Sequence, residues 1–177
     1  MCSLLGCDLK DISRAMKSFR GIHRRLEIIG RAGDVTVIDD FAHNPAKIKA
    51  AWETAATNSG RVIGVWRPHG YGPLASMLDS LVESFSAVCR VNDHLIILPV
   101  YDAGGTANRS VSSATLAQRL AGDKVNAAEA SCYDNAAEMV ISMVTAGDTV
   151  LVMGARDPGL PGLARKIHGA LSRRFAS

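Results

Sequence analysis

The chain has 177 residues, of which 47% are hydrophobic, so it is long enough for one domain with a sizeable core and a short appendage. Its 20 Lys and Arg residues and 17 Asp and Glu residues are interspersed, and such mild basicity gives no indication of nucleic-acid binding. The four Cys residues lack the density of a disulfide scaffold and the C-x-x-C spacing of a zinc site, and no apolar run approaches the roughly 18 residues of a membrane span. The composition therefore predicts a soluble cytoplasmic protein with no membrane partner.

The first half of the chain alternates predicted helices and strands. Apolar residues at helical spacing predict an amphipathic helix over 8–19, whose apolar face needs a partner, and a hairpin follows with strands over 23–30 and 35–39. Asn44 can cap a helix that starts at Pro45, and a further strand is predicted over 61–66. The order is that of a β-α-β unit.

The second half continues the alternation. Its predicted elements are a helix with apolar residues from Leu74 to Val88, a buried strand over 94–100, a helix capped by Ser112 or Ser113, a weak strand over 124–128, a helix through Val140, a strand over 149–153 and a final helix through Ile167. Short apolar strands alternating with helices predict an α/β fold. We expect a mostly parallel sheet with helices on both faces and one antiparallel hairpin strand.

Polar loops follow the predicted parallel strands. These loops are 39–44, 67–71, 101–109 and Arg156-Asp157. Each residue alone also fits an ordinary turn, including the Gly104-Gly105 pair, but ligands of parallel sheets bind beyond the carboxyl ends of the strands. We therefore expect Asp40, His43, His69 and Arg109 to lie along one edge. The helix start at Pro45 would favour a phosphate or a sugar hydroxyl there.

Other motifs narrow the chemistry. Side chains alternate along a strand, so Arg24 and Arg25 in the first hairpin strand are expected on opposite faces of the sheet, and at most one should point toward a given ligand. The alternative is that their charges only protect an edge strand from pairing with another chain. His43 and His69 could share a zinc or manganese ion with an aspartate, but the H-x-x-x-H, H-x-E and C-x-x-C spacings are absent, so no metal site is predicted. The chain also has no Gly-x-Ser-x-Gly elbow, no G-x-G-x-x-G and no Gly-Lys-Ser or Gly-Lys-Thr. If the chemistry needs a group that activates phosphate, that group lies elsewhere.

Five segments in order resemble the C-terminal domain of the Mur ligases. They are Gly21-Ile-His-Arg-Arg-Leu-Glu27, Asp39-Asp-Phe-Ala-His-Asn-Pro45, the Pro-His of 67–71, Val100-Tyr-Asp-Ala-Gly104 and Val152-Met-Gly-Ala-Arg-Asp157. The likeness runs from about Leu5 to the end of the chain. It is greatest to the UDP-N-acetylmuramate:L-alanine ligase branch, followed by the murein-tripeptide ligase branch.

The resemblance implies an ATP- and Mg-dependent ligase that turns a UDP-N-acetylmuramate-type carboxylate into an acyl phosphate, which the amine of an amino acid or peptide then attacks. In this family the N-terminal domain binds the UDP-sugar, the central domain carries the P-loop, and a Rossmann-like C-terminal domain closes over ATP. On that pattern Arg25 contacts ATP phosphate, Asp40 lies near the ribose, and His43 and Asn44 share the nucleotide-side loop. His69 lies near the amino-acid substrate.

The loop around His69 departs from the family pattern. Arginines that receive the substrate carboxylate are expected directly after the histidine and three residues later, where this chain has Gly70 and Pro73. Arg67 or Arg109 could supply a replacement guanidinium, which suits bidentate carboxylate binding. The departure predicts a poor L-alanine ligase or a different acceptor.

Length is the second departure, because no P-loop or UDP-sugar domain is present. We expect residues 1–20 to be the end of a central-domain helix and a linker, and 21–177 to be the C-terminal domain. The missing N-terminal and central domains would supply most of the ATP and Mg contacts, so no catalytic residue is assigned and the chain alone should be inactive. The alternative is a stand-alone module that binds a nucleotide or an acidic metabolite without ligase activity.

Overall fold

The computed structural model describes residues 2–19, 21–102, 104 and 108–176, with the backbone alone for Cys2 and Ser3. Gly105, part of the predicted glycine loop, lies outside the described residues. After a short 3-10 helix over Cys2–Leu5, the elements are α1 (Leu9–Met16), β1 (Glu27–Ala32), β2 (Val35–Asp40), α2 (Pro45–Ala56), β3 (Val62–Trp66), α3 (Tyr71–Val88), β4 (His94–Ile97), α4 (Ser113–Gly122), β5 (Ala127–Glu129), α5 (Tyr133–Met143), β6 (Thr149–Met153) and α6 (Leu160–Phe175).

The strands form one sheet in the order β1-β2-β6-β3-β4-β5. β1 pairs antiparallel with β2, and every other neighbouring pair is parallel. This confirms the predicted fold class. Since β6 lies between β2 and β3, the loops after these three strands are neighbours in space.

Helices cover both faces of the sheet. Trp52 of α2 and Phe85 of α3 pack on one face, and Val140 of α5 and Ile167 of α6 pack on the other, all fully buried. Gly64 of β3 lets Trp52 approach the sheet, because a β-carbon at this position would lie 2.2 Å from the Trp52 Cζ3 atom. The long apolar helices predicted from sequence therefore supply the core.

Asp93, in the turn before β4, ties this turn to α2 and β3. Its carboxylate accepts hydrogen bonds from the Trp52 indole (3.1 Å), the Val62 amide (2.7 Å) and the Arg90 guanidinium (2.9 Å). Burial opposes its ionisation, but these hydrogen bonds hold the pKa of Asp93 below its ordinary value. The carboxylate is therefore a charged structural group.

Several boundaries differ from the predictions. The predicted strand 94–100 ends at Ile97, two residues before Pro99, which has no amide proton for a ladder. The hairpin turns at Gly33, whose φ of 56° suits glycine. α1 ends at Met16 and buries none of its residues, so its apolar face, with Leu9 71% exposed, has no partner within the described part of the chain. No helix in the described ranges is long and apolar enough to cross a membrane.

Candidate functional site

The loops after the parallel strands meet at one edge of the sheet. The amide of Gly154, after β6, donates to the carbonyl of Asp40 (3.2 Å), and the amide of Arg67, after β3, donates to the carbonyl of Met153 (3.1 Å). The amide of Tyr101, after β4, donates to the carbonyl of Pro68 (2.8 Å). The predicted placement of the polar loops at one edge is confirmed, and it creates a continuous surface on which a ligand could bind.

Arg24 and Arg25 do not lie in the first hairpin strand, which begins at Glu27. Positive φ values at Arg24 (53°) and Leu26 (46°) fold this segment into a turn, so strand alternation does not apply to it. Both guanidiniums lie over the ring of Phe41, at 5.1 Å for Arg24 and 5.5 Å for Arg25. The prediction of opposite faces, and its edge-strand alternative, are therefore wrong.

The two arginines have different surroundings. Arg24 is buried, pairs with the fully buried Asp39 (Nε to Oδ2, 3.2 Å) and donates to the carbonyl of Gly154 (2.6 Å). Burial raises the pKa of Asp39, and the Arg24 guanidinium opposes this shift. Arg25 is exposed, so it is the one of the pair that a ligand can reach.

Asp40 is held by backbone groups on both sides. Its Oδ2 accepts from the Leu26 amide (2.7 Å) and its Oδ1 accepts from the Ala42 amide (2.7 Å). A carboxylate has about four lone-pair positions, so further acceptor capacity remains. Asp40 lines a cleft of about 200 Å³ together with Arg25 and Lys47.

Sequence reasoning missed Lys47. It lies in the first turn of α2, where its amide donates to the side chain of Asn44 (3.0 Å) at the helix cap. The sequence did offer a signal for Lys47: it is a cation in the first turn of the helix that follows the Asp40 to Asn44 loop. Asn44 itself acts as the predicted helix cap.

His43 and His69 lie side by side, although 26 positions separate them in the sequence. Their ring centroids are 5.0 Å apart in an edge-to-face arrangement, and His43 Nδ1 lies 2.8 Å from the carbonyl oxygen of Phe41. Burial, with smaller effects of His43 and Arg156, lowers the pKa of His69. His69 is therefore neutral at physiological pH. Among the residues that the structure describes, no group of three or more His, Cys, Asp or Glu side chains is arranged to hold a metal ion.

The guanidinium of Arg67 is held by a network of hydrogen bonds. It pairs with the buried Asp157 (2.7 Å) and donates to the Tyr133 hydroxyl (2.7 Å) and the Pro99 carbonyl (3.0 Å). Tyr133 also donates to Asp157, and burial together with this hydrogen bond raises the pKa of Tyr133 to about 12. Because its partners are 66 and 90 positions away, sequence reasoning gave no sign of the network.

Arg109 is more accessible than Arg67. Its guanidinium pairs with Asp102 (2.7 Å), and the two side chains are 53% and 40% exposed. It also lies 5.5 Å from the ring centre of Tyr71, the first residue of α3. Arg109 therefore contacts the segment that begins at Gly70, where the family pattern has its arginines.

Two larger cavities lie away from this edge. One, of about 450 Å³, is at the amino ends of the parallel strands and is lined in part by Arg31, Asp34 and Asp148. The other, of about 520 Å³, lies between Phe19 and β1. Arg25 borders the second cavity as well, but neither cavity is lined by the loops that carry His43, His69 and Arg109. The carboxyl edge of the sheet, where these loops converge, is the candidate site.

Comparison with known proteins shows which family the chain resembles. The sequence profile described as "Mur ligase, glutamate ligase domain" matches residues 24–156. The chain is 33% identical over 153 residues to a UDP-N-acetylmuramate–L-alanine ligase of Synechococcus sp. (86% of this chain, 31% of that protein). It therefore spans about a third of the length of such a curated relative.

Solved structures show the same fold. The UDP-N-acetylmuramate–alanine ligase of Thermotoga maritima superposes with a TM-score of 0.75 at 21% identity, covering 97% of this chain and 35% of the other. A murein peptide ligase from Psychrobacter arcticus gives a TM-score of 0.65 at 22% identity, covering 97% and 34%. From the profile match over most of its length, we conclude that this chain belongs to the Mur ligase family.

Proposed function

We propose that this domain is the C-terminal part of a cytoplasmic, ATP-dependent ligase that joins an amino acid or peptide to a UDP-N-acetylmuramate carboxylate through an acyl phosphate. The observation that carries the proposal is the family match over 24–156, whose motifs converge at one edge of the sheet. Residues 1–20 would then join it to a central domain, and N-terminal and central domains would supply the UDP-sugar site and the P-loop.

The nucleotide side of the proposed site is the cleft beside α2. Arg25 and Lys47 bring two exposed cations to the carboxylate of Asp40 in a cleft next to the loop of His43 and Asn44. This donor set suits a nucleotide, since cations bind phosphate and a carboxylate with free lone pairs accepts from ribose hydroxyls. Bound ATP with Mg supplies the phosphoryl group that activates the carboxylate; this domain's residues hold and orient the nucleotide.

The acceptor side is the surface around His69. A neutral imidazole, as its lowered pKa implies, can accept a hydrogen bond from an approaching amine. Both arginines considered as replacements for the family's carboxylate contacts already have partners: Arg67 donates to Asp157, Tyr133 and Pro99, and the more exposed Arg109 pairs with Asp102. Arg67 then has a positioning role, holding the loop that carries His69.

The ligase that contains this domain should form an amide from UDP-N-acetylmuramate, ATP and an amino acid or peptide, with one ADP and one phosphate released per bond. Failure with every acceptor tested, in a folded enzyme, would exclude the proposal. Calorimetry on the 177-residue chain distinguishes a ligase domain from the alternative, a stand-alone binding module. A half-site should bind ATP only at millimolar concentration, whereas a stand-alone module should bind a nucleotide or acidic metabolite at micromolar concentration.

A further inference from the structure

The turn after β6 holds Arg156 in a left-handed backbone conformation, which glycine adopts most readily. Its φ is 62°, which costs about 1–2 kcal/mol for a residue with a β-carbon. Such strain persists only where the surroundings impose it. Here the next residue imposes it: the buried Asp157 accepts hydrogen bonds from Arg67 (2.7 Å) and the Gly159 amide (2.9 Å) and fixes the turn.

The fixed turn lies in the middle of the candidate site. β6 separates β2 from β3, so the turn that carries Arg156 leaves the sheet between the strands that precede the His43 and His69 loops. Gly154, at the start of this turn, packs closely against the loop after β3, because an added β-carbon would lie 3.1 Å from the Arg67 carbonyl oxygen. The positive charge of Arg156 is near enough to His69 to contribute to its lowered pKa, after burial and His43.

Arg156 is exposed and has no partner within the described ranges: no hydrogen bond, ion pair or ring contact involves its guanidinium. The other arginines on this side of the site are engaged, Arg67 by Asp157 and Arg109 by Asp102. An anion that binds to Arg156 therefore displaces no existing ion pair.

We propose that Arg156 binds the carboxylate of the acceptor amino acid or peptide, in place of the arginines that Gly70 and Pro73 replace. This inference rests on the proposed ligase function. A guanidinium suits a carboxylate because it donates two parallel hydrogen bonds. The same chemistry would bind a nucleotide phosphate, but the position beside His69 favours the acceptor side.

Replacement of Arg156 with glycine separates ligand binding from stability. Glycine adopts positive φ without penalty, so Arg156→Gly should stabilise the fold while it removes the guanidinium. Lys124→Gly is the matched control, since Lys124 has nearly the same φ (63°), is exposed, and lies before β5, at the amino ends of the parallel strands and away from the candidate site. Both variants should gain stability, and Arg156→Gly alone should lose acceptor binding.

The test is an NMR titration of the 177-residue chain that follows the Arg156 Nε–Hε signal. We expect L-alanine or a short peptide to shift it saturably, L-alaninamide, which lacks the carboxylate, to leave it unchanged, and inorganic phosphate to shift it less than L-alanine does. Arg156→Gly should weaken L-alanine binding, followed at the His69 ring signals, about tenfold or more, the loss of one charge-assisted contact. Lys124→Gly should bind L-alanine as the parent chain does.

Several results would overturn the inference. These are a shift with phosphate as large as that with L-alanine, no shift with any probe, or loss of L-alanine binding in Arg109→Ala but not in Arg156→Gly. Titration with ADP, followed at the Arg25 Nε–Hε signal, tests the nucleotide half separately. An ADP response at Arg25 without an L-alanine response at Arg156 would reject this inference and leave the proposed ligase function intact.

Discussion

Replacement of Arg24 with alanine should destabilise the domain by about 3–5 kcal/mol, the usual cost of removing one partner of a buried ion pair. The Arg24 side chain is 10% exposed and that of Asp39 is 0% exposed, so the variant leaves a carboxylate in the core without its counter-charge. The Gly154 carbonyl also loses a donor at 2.6 Å. Arg24→Ala/Asp39→Asn should recover part of the loss, because it removes the isolated charge.

Urea and thermal unfolding of the 177-residue chain measure the effect. For a domain of this size, about 3–5 kcal/mol corresponds to a fall in Tm of about 6–20 °C. Arg14→Ala is the control: Arg14 pairs with Asp11, but the two side chains are 80% and 62% exposed, so the loss should stay within about 0.5 kcal/mol. Equal effects of Arg24→Ala and Arg14→Ala would refute the reasoning.

The pH dependence gives a second check. Burial raises the pKa of Asp39, so the folded state binds this proton more tightly than the unfolded state, and the contribution of Asp39 to stability falls as pH rises through its folded pKa. Removal of Arg24 raises this pKa further. The difference in stability between Arg24→Ala and the parent chain should therefore shrink as pH is lowered from neutral to about 4. A constant difference would mean that Asp39 is not the source of the loss.

Three further predictions concern the core and the site. Gly64→Ala should lower the free energy of unfolding by about 1–3 kcal/mol, because the new methyl group overlaps the ring of Trp52, and urea unfolding that matches the parent would contradict this. In the intact ligase, Arg25→Ala and Asp40→Ala should each weaken ATP use by about 1–3 kcal/mol in kcat/KM, and an unchanged ATP dependence in folded variants would remove the residue from the site. A panel of amino acids and peptides should show poor or unselective use of L-alanine; efficient, selective use that is insensitive to Arg67→Ala, Arg109→Ala and Arg156→Gly would refute the interpretation of the loop after β3.

Periodicity predicted the helices and strands, because the apolar faces that build the core recur at regular spacing. Trp52 and Phe85 are core residues for this reason. The turn at Arg24 and Leu26 was not predictable, since neither residue type signals a positive φ, and the pattern Leu26 to Ile29 reads as a strand from its apolar content alone. The central position of β6 in the sheet also leaves no local signal in the sequence.

The site was predictable to the level of loops but not of side-chain partners. Strand ends placed Asp40, His43 and His69 at one edge, as the structure confirms. Whether an arginine there is free or engaged depends on residues far away in the chain: Arg67 is engaged by Asp157, 90 positions distant. Long-range pairs of this kind leave no periodic pattern.

The central position of β6 also has a consequence for biosynthesis. β6 pairs with β2 on one side and with β3 on the other. Before residues 149–153 have been synthesised, the β1-β2 pair and the β3-β4-β5 sheet therefore each have one strand edge without a partner. Such edges can pair with other nascent chains until the gap is filled. We expect this domain to reach its native structure only after β6 has been synthesised, and to depend during that interval on factors that shield nascent strands.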